Sequence, residues 1–295
     1  MPPEIPPEYL TTKELAELLR IKERKVYDLA ASGELPCSKA MGKLLFPRDA
    51  IDAWLSQNAT GYTPRSNLPR PDIFLGSHDP LLDWSLREAR ANIATIFDSS
   101  LDGLERFALN EGIATGLHIY DAANGDWNTA HIEEEYRGRD VVLVEWAKRQ
   151  RGLLLAPGNA AIIRSVANLR GRKVAPRQQA AGSQILLQIL FEQTGLNPGD
   201  VHFTAPCRTE TDSALAVHDG TADATFGLEL QAGHYGLGFL PLIVERFDLL
   251  IDRRAYFEPP IQALFQFCKT VEFYKKVTNM RGYDVTGLGT VHFNG

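Results

Sequence analysis

"DIFLGSHDPLLDWSLREA", Asp72–Ala89, reads as one strand, one turn and one helix. Ile73-Phe74-Leu75 is a short apolar run, and Gly76 punctuates it. Asp79 then Pro80 is the pairing of a helix N-cap with a first helical residue. Ser77 and His78 are left in the turn between strand and helix. The same pattern recurs outward along the chain. "NIATIFDSS" precedes the helix "LDGLERFALNEG", and "ATGLHIYD" precedes a loop and the helix "NTAHIEEEYR". "DVVLVEWAKRQRGLLLAPGN" reads as a strand pair or one long strand, "RKVAP" as a strand before the helix "GSQILLQILFEQTG", and "TDSALAVHDGTA" as a helix before the strand "ADATFGLE". Strands alternating with helices predict an α/β domain on a largely parallel sheet. Ligands of such sheets sit beyond the carboxyl ends of strands, where helix N-termini offer free N–H groups to an anion. The turns 76–79, 98–102, 157–159 and 177–184 are the places to inspect.

Ser77, His78 and Asp79 are the three letters of a hydrolase triad. A triad needs them to converge with the imidazole in the middle, which three consecutive turn residues rarely do. The chain also lacks a G-x-S-x-G elbow. The reading is a cap at Asp79, with Ser77 and His78 facing a ligand and no catalytic residue. Ser99 and Ser100 in "FDSSLDGLERF" each suit a helix cap first, and the same hydroxyls could donate to an oxyanion. Arg177, just past a strand, with Gly182 and Ser183 at a helix start, makes an oxyanion clamp or a routine cap beside a surface arginine.

The first sixty residues read differently. "TTKELAELLRIKERKVYDLAASGELP", Thr11–Pro36, is helix, tight turn, helix: Thr11 or Thr12 caps the first, and Ser32-Gly33 ends the second. In "MGKLLFPRDAIDAWL", Gly42 turns the chain, Leu44-Leu45-Phe46 is a short strand, and Asp49 caps a further helix. That hairpin is a wing. Between Arg20 and Arg48 stand seven Lys or Arg against three acids, a surplus of four positive charges in a chain of net charge -6. Such a local patch neutralises phosphates and carries a helix into the major groove. The alternative is a solvated basic face on a protein-binding module.

The 295 residues suffice for two or so domains, and 44% hydrophobic with 23% charged is ordinary soluble composition. Cys37, Cys207 and Cys268 are odd in number and far apart, so neither a disulfide framework nor a zinc site is expected. "MPPEIPPEYL" lacks signal-peptide features and no apolar run is membrane-length, so the expectation is a cytoplasmic protein with no membrane association and no metal. The predicted organisation is a DNA-binding domain at 1–57, a Ser/Asn/Gly/Pro-rich linker at 58–71 and a ligand-binding domain at 72–295.

On "SGELP" followed by "GKLLFPRDAIDAWL", residues 9–57 resemble the excisionase-like, MerR-type winged helix-turn-helix module. The resemblance implies that Lys22, Arg24, Lys25 and Tyr27 face double-stranded operator DNA from the second helix, that Lys43 touches phosphate from the wing, and that Arg48 assists. It also implies a homodimer or higher homo-oligomer.

On "GSHDPLLD", "GLHIYDAANGDWN", "QRGLLLAPGN", "RQQAAGSQ" and "LGFLPLIVERFDLLI", residues 72–290 resemble the periplasmic-binding-protein-like domain found fused to helix-turn-helix modules and to molybdopterin-biosynthesis proteins. The implied fold is the two-lobed type II binding protein. The implied effector is an oxyanion such as molybdate or tungstate, held in an interlobe cleft by helix N-termini and hydroxyls, with no other cofactor. The candidates are Ser77, His78, Ser99, Ser100, Arg177, Gly182 and Ser183, with His118, Asn128, Asn159 and Thr211 more loosely placed. His118 equally suits a packed strand position. Where relatives read R-Q-x-G-S-G-T-R, this chain has Arg177 to Gln184 as R-Q-Q-A-A-G-S-Q. A hydroxyl is lost at Ala181 and a positive charge at Gln184, each worth roughly 1.5–3 kcal/mol to a matching anion. That favours a monoanion such as a carboxylate over a dianion.

The predicted protein is therefore a one-component, ligand-responsive transcription regulator. The alternatives are an enzyme or molybdopterin-pathway protein with a Ser/His site at 77–79, and an excisionase-like recombination accessory protein.

Overall fold

A computed structural model of the chain describes residues 8–40, 42–57 and 69–295. Most of the expected linker, 58–68, and residues 1–7 and 41 lie outside the described residues. The chain divides into two compact units, Met1–Pro69 and Arg70–Gly295.

In the first unit, helices Thr12–Leu19 and Glu23–Ala31 form the helix-turn-helix. Thr11 caps the first helix: its hydroxyl accepts from Glu14 N at 3.3 Å, and the Glu14 carboxylate accepts from Thr11 N at 2.7 Å, a reciprocal capping box. Strands Ser38–Ala40 and Lys43–Pro47 pair antiparallel as the wing. A third strand, Tyr9–Thr11, pairs antiparallel with the other edge of Lys43–Pro47; three residues carry too little pattern to announce it. The last helix is Arg48–Gln57. Asp49 lies within its first turn, where its carboxylate accepts from Ala50 N, so it is not the cap expected of it. Leu10, Leu15, Val26, Leu35, Phe46 and Ile51 share one buried core.

The second unit is the expected α/β fold, with one difference of topology. Strands Ile73–Gly76, Ala94–Phe97 and Ala114–Leu117 are parallel to one another and make one lobe. Strands Lys173–Ala175, His202–Phe203 and Ala224–Leu228 are parallel and make the other. Between them run two strands of 15 residues, Val141–Leu155 and Gly238–Asp252, antiparallel to each other and to the lobe strands they adjoin. The sheet is thus mixed, because two long strands join the lobes where crossover helices alone would leave the sheet parallel. "DVVLVEWAKRQRGLLL" is one strand, and "LGFLPLIVERFDLLI" is its partner.

Each lobe has its own core: Phe74, Leu81, Trp146, Phe247 and Leu249 in the first, and Val174, Leu186, Phe191 and Phe226 in the second. Tyr283–Asp284 and Val291–Asn294 add to the edge of Val141–Leu155.

Gly76 decides the geometry of the first turn. Its φ is +89°, and a Cβ there would run into Thr115 Oγ1 and the Gly116 carbonyl. Only glycine lets the chain leave the strand at this angle. The helix that follows, Pro80–Glu88, is capped by Asp79, whose Oδ1 accepts from Leu82 N at 2.8 Å.

Candidate ligand site

A cavity of about 370 Å³ lies between the lobes of the second unit. Five helices begin at its wall: Pro80–Glu88, Ser100–Ala108, Gly182–Thr194, Glu210–His218 and Glu229–Tyr235. Asp79, Ser99 and Thr209 cap three of them through their side chains, whereas the helices at Glu229 and at Gly182 have no side-chain cap. The first N–H groups of the helix at Gly182 are free donors beside the cavity.

Of the eleven candidate ligand residues, Ser77, His78, Ser99, His118, Arg177, Gly182, Ser183 and Thr211 line the cavity. Three stand elsewhere. Ser100 is buried behind the wall, where its Oγ lies 2.8 Å from Ser77 Oγ and accepts from His118 N at 3.3 Å. Asn128 is a structural bracket: its Oδ1 accepts from Ile119 N and its Nδ2 donates to Asp248 Oδ2 at 2.8 Å. Asn159 donates to Asp223.

Ser77, His78 and Asp79 take three separate partners. Ser77 meets Ser100, His78 Nε2 lies 3.9 Å from Asp83, and Asp79 turns inward. Asp79 is fully buried and accepts from Leu82 N, Trp146 Nε1, Arg149 Nη1 and the Tyr283 hydroxyl. They form no triad.

Behind the cavity a chain of buried charges runs along the two long strands. Arg149 joins Asp79 at 2.8 Å to Glu245; Glu245 pairs with Arg151 at 2.7 Å; Arg151 pairs with Glu210 at 2.7 Å. The chain of pairs starts at a helix cap of one lobe and ends at the first residue of a helix of the other. Burial opposes the charge of Glu245, but Arg149, Arg151 and His118 hold its carboxyl well below the usual range. Glu210 is held low in the same way, by Arg151, Arg177 and Arg149 against the burial that opposes them. His118 stacks on Phe247 and places Nδ1 3.0 Å from Glu245 Oε2; burial nonetheless pushes its imidazole below the ordinary value, with Glu245 opposing. His118 is both packed and cavity-lining.

The lobes meet at this histidine. A Cβ on Gly182 would come within 2.8 Å of the His118 carbonyl oxygen and 2.9 Å of its ring, so the "RQQAAGSQ" turn needs glycine at its helix start.

Arg177 is half-buried, with Nη2 donating to the Arg208 carbonyl at 2.8 Å and Nε buried without a partner. Burial pulls its guanidinium below the ordinary arginine value. Gln184 uses its side-chain carbonyl to accept from Arg177 N at 2.9 Å. Gln184 thus brings no charge to the turn and also occupies a backbone donor.

Sequence reading passed over Pro80, Phe97, Asp98, Ala181, Arg208, Thr209, Glu210, Leu228 and Gln231, all of which line the cavity. Two signals pointed there. Thr209-x-x-Asp212 is a capping box, and the end of Ala224–Leu228 is another strand-to-helix turn subject to the same rule as Gly76. Among the described residues no cluster of three or more His, Cys, Asp or Glu is arranged to hold a metal, and no helix is long and apolar enough to cross a membrane.

In the first unit, Lys22, Arg24, Lys25 and Tyr27 are all exposed around the second helix, while Val26 is buried beneath it. Lys43 is exposed on the wing and Arg48 is half-buried.

Fold and cavity define a helix-turn-helix domain joined to a two-lobed binding-protein domain. Comparison with known proteins agrees: residues 84–269 match the PBP superfamily domain, and residues 9–59 match a helix-turn-helix domain. The chain belongs to the PBP superfamily, with the helix-turn-helix domain ahead of it. The uncharacterized protein YvgK of Bacillus subtilis (strain 168) is similar along its whole length, 23% identical over 300 residues that cover 95% of this chain and 96% of the relative. Among solved structures, the regulatory domain of MetR, a LysR family regulator from N. meningitidis, is similar in fold with a TM-score of 0.51 and 10% identity, covering 72% of this chain and 97% of that one. OxyR of Corynebacterium glutamicum matches with a TM-score of 0.50 and 9% identity, over 90% of this chain and 88% of that one.

Proposed function

We propose that this protein is a cytoplasmic, ligand-responsive transcription regulator and not an enzyme. The first unit binds double-stranded operator DNA through Lys22, Arg24, Lys25 and Tyr27, with Lys43 and Arg48 on phosphate. The second binds a small anionic effector at Ser77, His78, Ser99, His118, Arg177, Gly182, Ser183 and Thr211. The protein works as a homodimer or higher homo-oligomer on symmetric half-sites. The observation that carries this reading is the union, in one chain, of a helix-turn-helix that exposes Lys22, Arg24, Lys25 and Tyr27 with an interlobe cavity at several helix N-termini. A carboxylate is favoured over molybdate or tungstate: Ala181 brings no hydroxyl, and Gln184 consumes the Arg177 N–H instead of adding a cation. The effector acts by binding the DNA-competent and DNA-incompetent states with different affinity.

The test is selection of bound sites from a random duplex pool, followed by fluorescence anisotropy on the selected duplex across a salt series. Arg24→Ala with Lys25→Ala is expected to weaken binding at least tenfold and to reduce the salt slope by about 2. A selected duplex bound equally well by the double variant refutes the assignment of the recognition helix.

A further inference from the structure

The polar lining of the cavity is not that of a simple anion trap. Arg177 and Arg208 are matched by two acids, Asp98 and Glu210. Asp98, at the carboxyl end of Ala94–Phe97, has Arg208 as its ion partner among the described residues, across the cleft at 3.7 Å. Glu210 gives Oε1 to Arg151 and keeps Oε2 buried without a hydrogen bond. Two further groups point to an occupant. Gln231 and Ser183 line the cavity, are 7% and 3% exposed, and make no side-chain hydrogen bond to the described residues. Both lie at the cavity wall, where their side chains are available to an occupant.

Size and apolar surface favour an occupant larger than a bare oxyanion. A tetrahedral oxyanion displaces about three waters, on the order of 90 Å³. The cavity is about 370 Å³ although the lobes already touch at Gly182 and His118. Phe97, Pro80, Ala181 and Leu228 supply apolar wall for a carbon skeleton. A bare dianion would leave that wall uncovered and would face Asp98 and Glu210 as like charges.

Resting on the effector reading above, we propose that the occupant is a zwitterion of amino-acid size. Its carboxylate meets Arg177 and the free N–H groups at Gly182 and Ser183. Its ammonium lies between Asp98 and Glu210, its carbon skeleton rests on Phe97 and Leu228, and Gln231 and Ser183 read its remaining polar atoms.

The test uses the full chain in a thermal-shift screen confirmed by calorimetry. The probes are the twenty standard L-amino acids, their des-amino carboxylic acids, and molybdate, tungstate, sulfate and phosphate. At least one amino acid is expected to raise Tm, with its des-amino counterpart binding at least tenfold more weakly. Asp98→Asn, a half-exposed position whose change leaves the core intact, is expected to weaken that amino acid at least tenfold and to narrow its advantage over the des-amino acid. A bare oxyanion or a simple carboxylate stabilising the protein as well as any amino acid overturns the zwitterion while leaving the effector reading in place. So does an amino acid bound equally well by Asp98→Asn and Glu210→Gln. If no compound of any class shifts Tm, both the zwitterion and the small-anion effector fall.

Discussion

Arg149→Met is expected to destabilise the PBP domain by about 3 kcal/mol. Arg149 is 1% exposed. Its guanidinium donates to Asp79 Oδ2 at 2.8 Å, pairs with Glu245, and lies 4.3 Å above the centre of the Phe247 ring. Methionine fills similar volume and keeps the apolar contact, so the loss is electrostatic. Breaking a buried pair costs about 3–5 kcal/mol because a charge is left uncompensated. Here two carboxylates lose one partner each, yet neither is stranded: Asp79 retains Trp146, Tyr283 and Leu82 N, and Glu245 retains Arg151 and His118. That places the cost at the low end. In a domain of this size it lowers Tm by roughly 6–12 °C. The assay is equilibrium urea unfolding followed by far-UV circular dichroism and tryptophan fluorescence, with a double-mutant cycle against Glu245→Gln. The cycle is expected to return a coupling above about 1 kcal/mol. A loss below about 1 kcal/mol, or additivity of the two changes, would show that the ion chain is decoration on a fold held by its apolar cores.

Three further outcomes follow from the same geometry. Gly182→Ala puts a methyl against the His118 carbonyl and ring and is expected to cost about 1–3 kcal/mol of overpacking in the lobe-touching conformation, read as a weaker effector-induced rise in Tm and a larger radius of gyration in solution scattering; an unchanged radius and response would mean that the contact yields without parting the lobes. Arg177→Ala is expected to abolish stabilisation by whichever compound raises the wild-type Tm, and retained stabilisation removes Arg177 from the site. Glu245 and Glu210 titrate in the folded chain below the ordinary glutamate value of 4.5, so the stability they confer is present above that pH and is lost as pH falls toward the lowered folded values. Unfolding free energy measured from pH 5 to pH 3 should therefore drop less steeply in Glu245→Gln than in wild type, and parallel slopes would contradict it.

Much of this protein was legible along the chain because the signals are local. Helix caps act over three residues, so Thr11 with Glu14, Asp79 with Pro80, and Ser99 announce their helices without reference to the rest of the fold. Alternating apolar runs and amphipathic helices dictate an α/β sheet, and the surplus of cations between Arg20 and Arg48 is a property of one short segment. The direction of the long strands was not local. Parallel and antiparallel pairing use the same apolar pattern, so only assembly decided that Val141–Leu155 and Gly238–Asp252 run antiparallel through both lobes. Site membership divided along the same line. Ser77 and Ser100 look alike in sequence, and packing puts one on the cavity wall and the other behind it. Asn128 is a turn residue by its neighbours and a bracket for Asp248 by its position. The acids Asp98 and Glu210, the arginines Arg149 and Arg151, and Glu245 are ordinary charged letters at spacings of up to about 150 residues. The tertiary structure alone sets them within ion-pair reach, because electrostatic pairing depends on distance in space and burial, neither of which a linear order of residues contains.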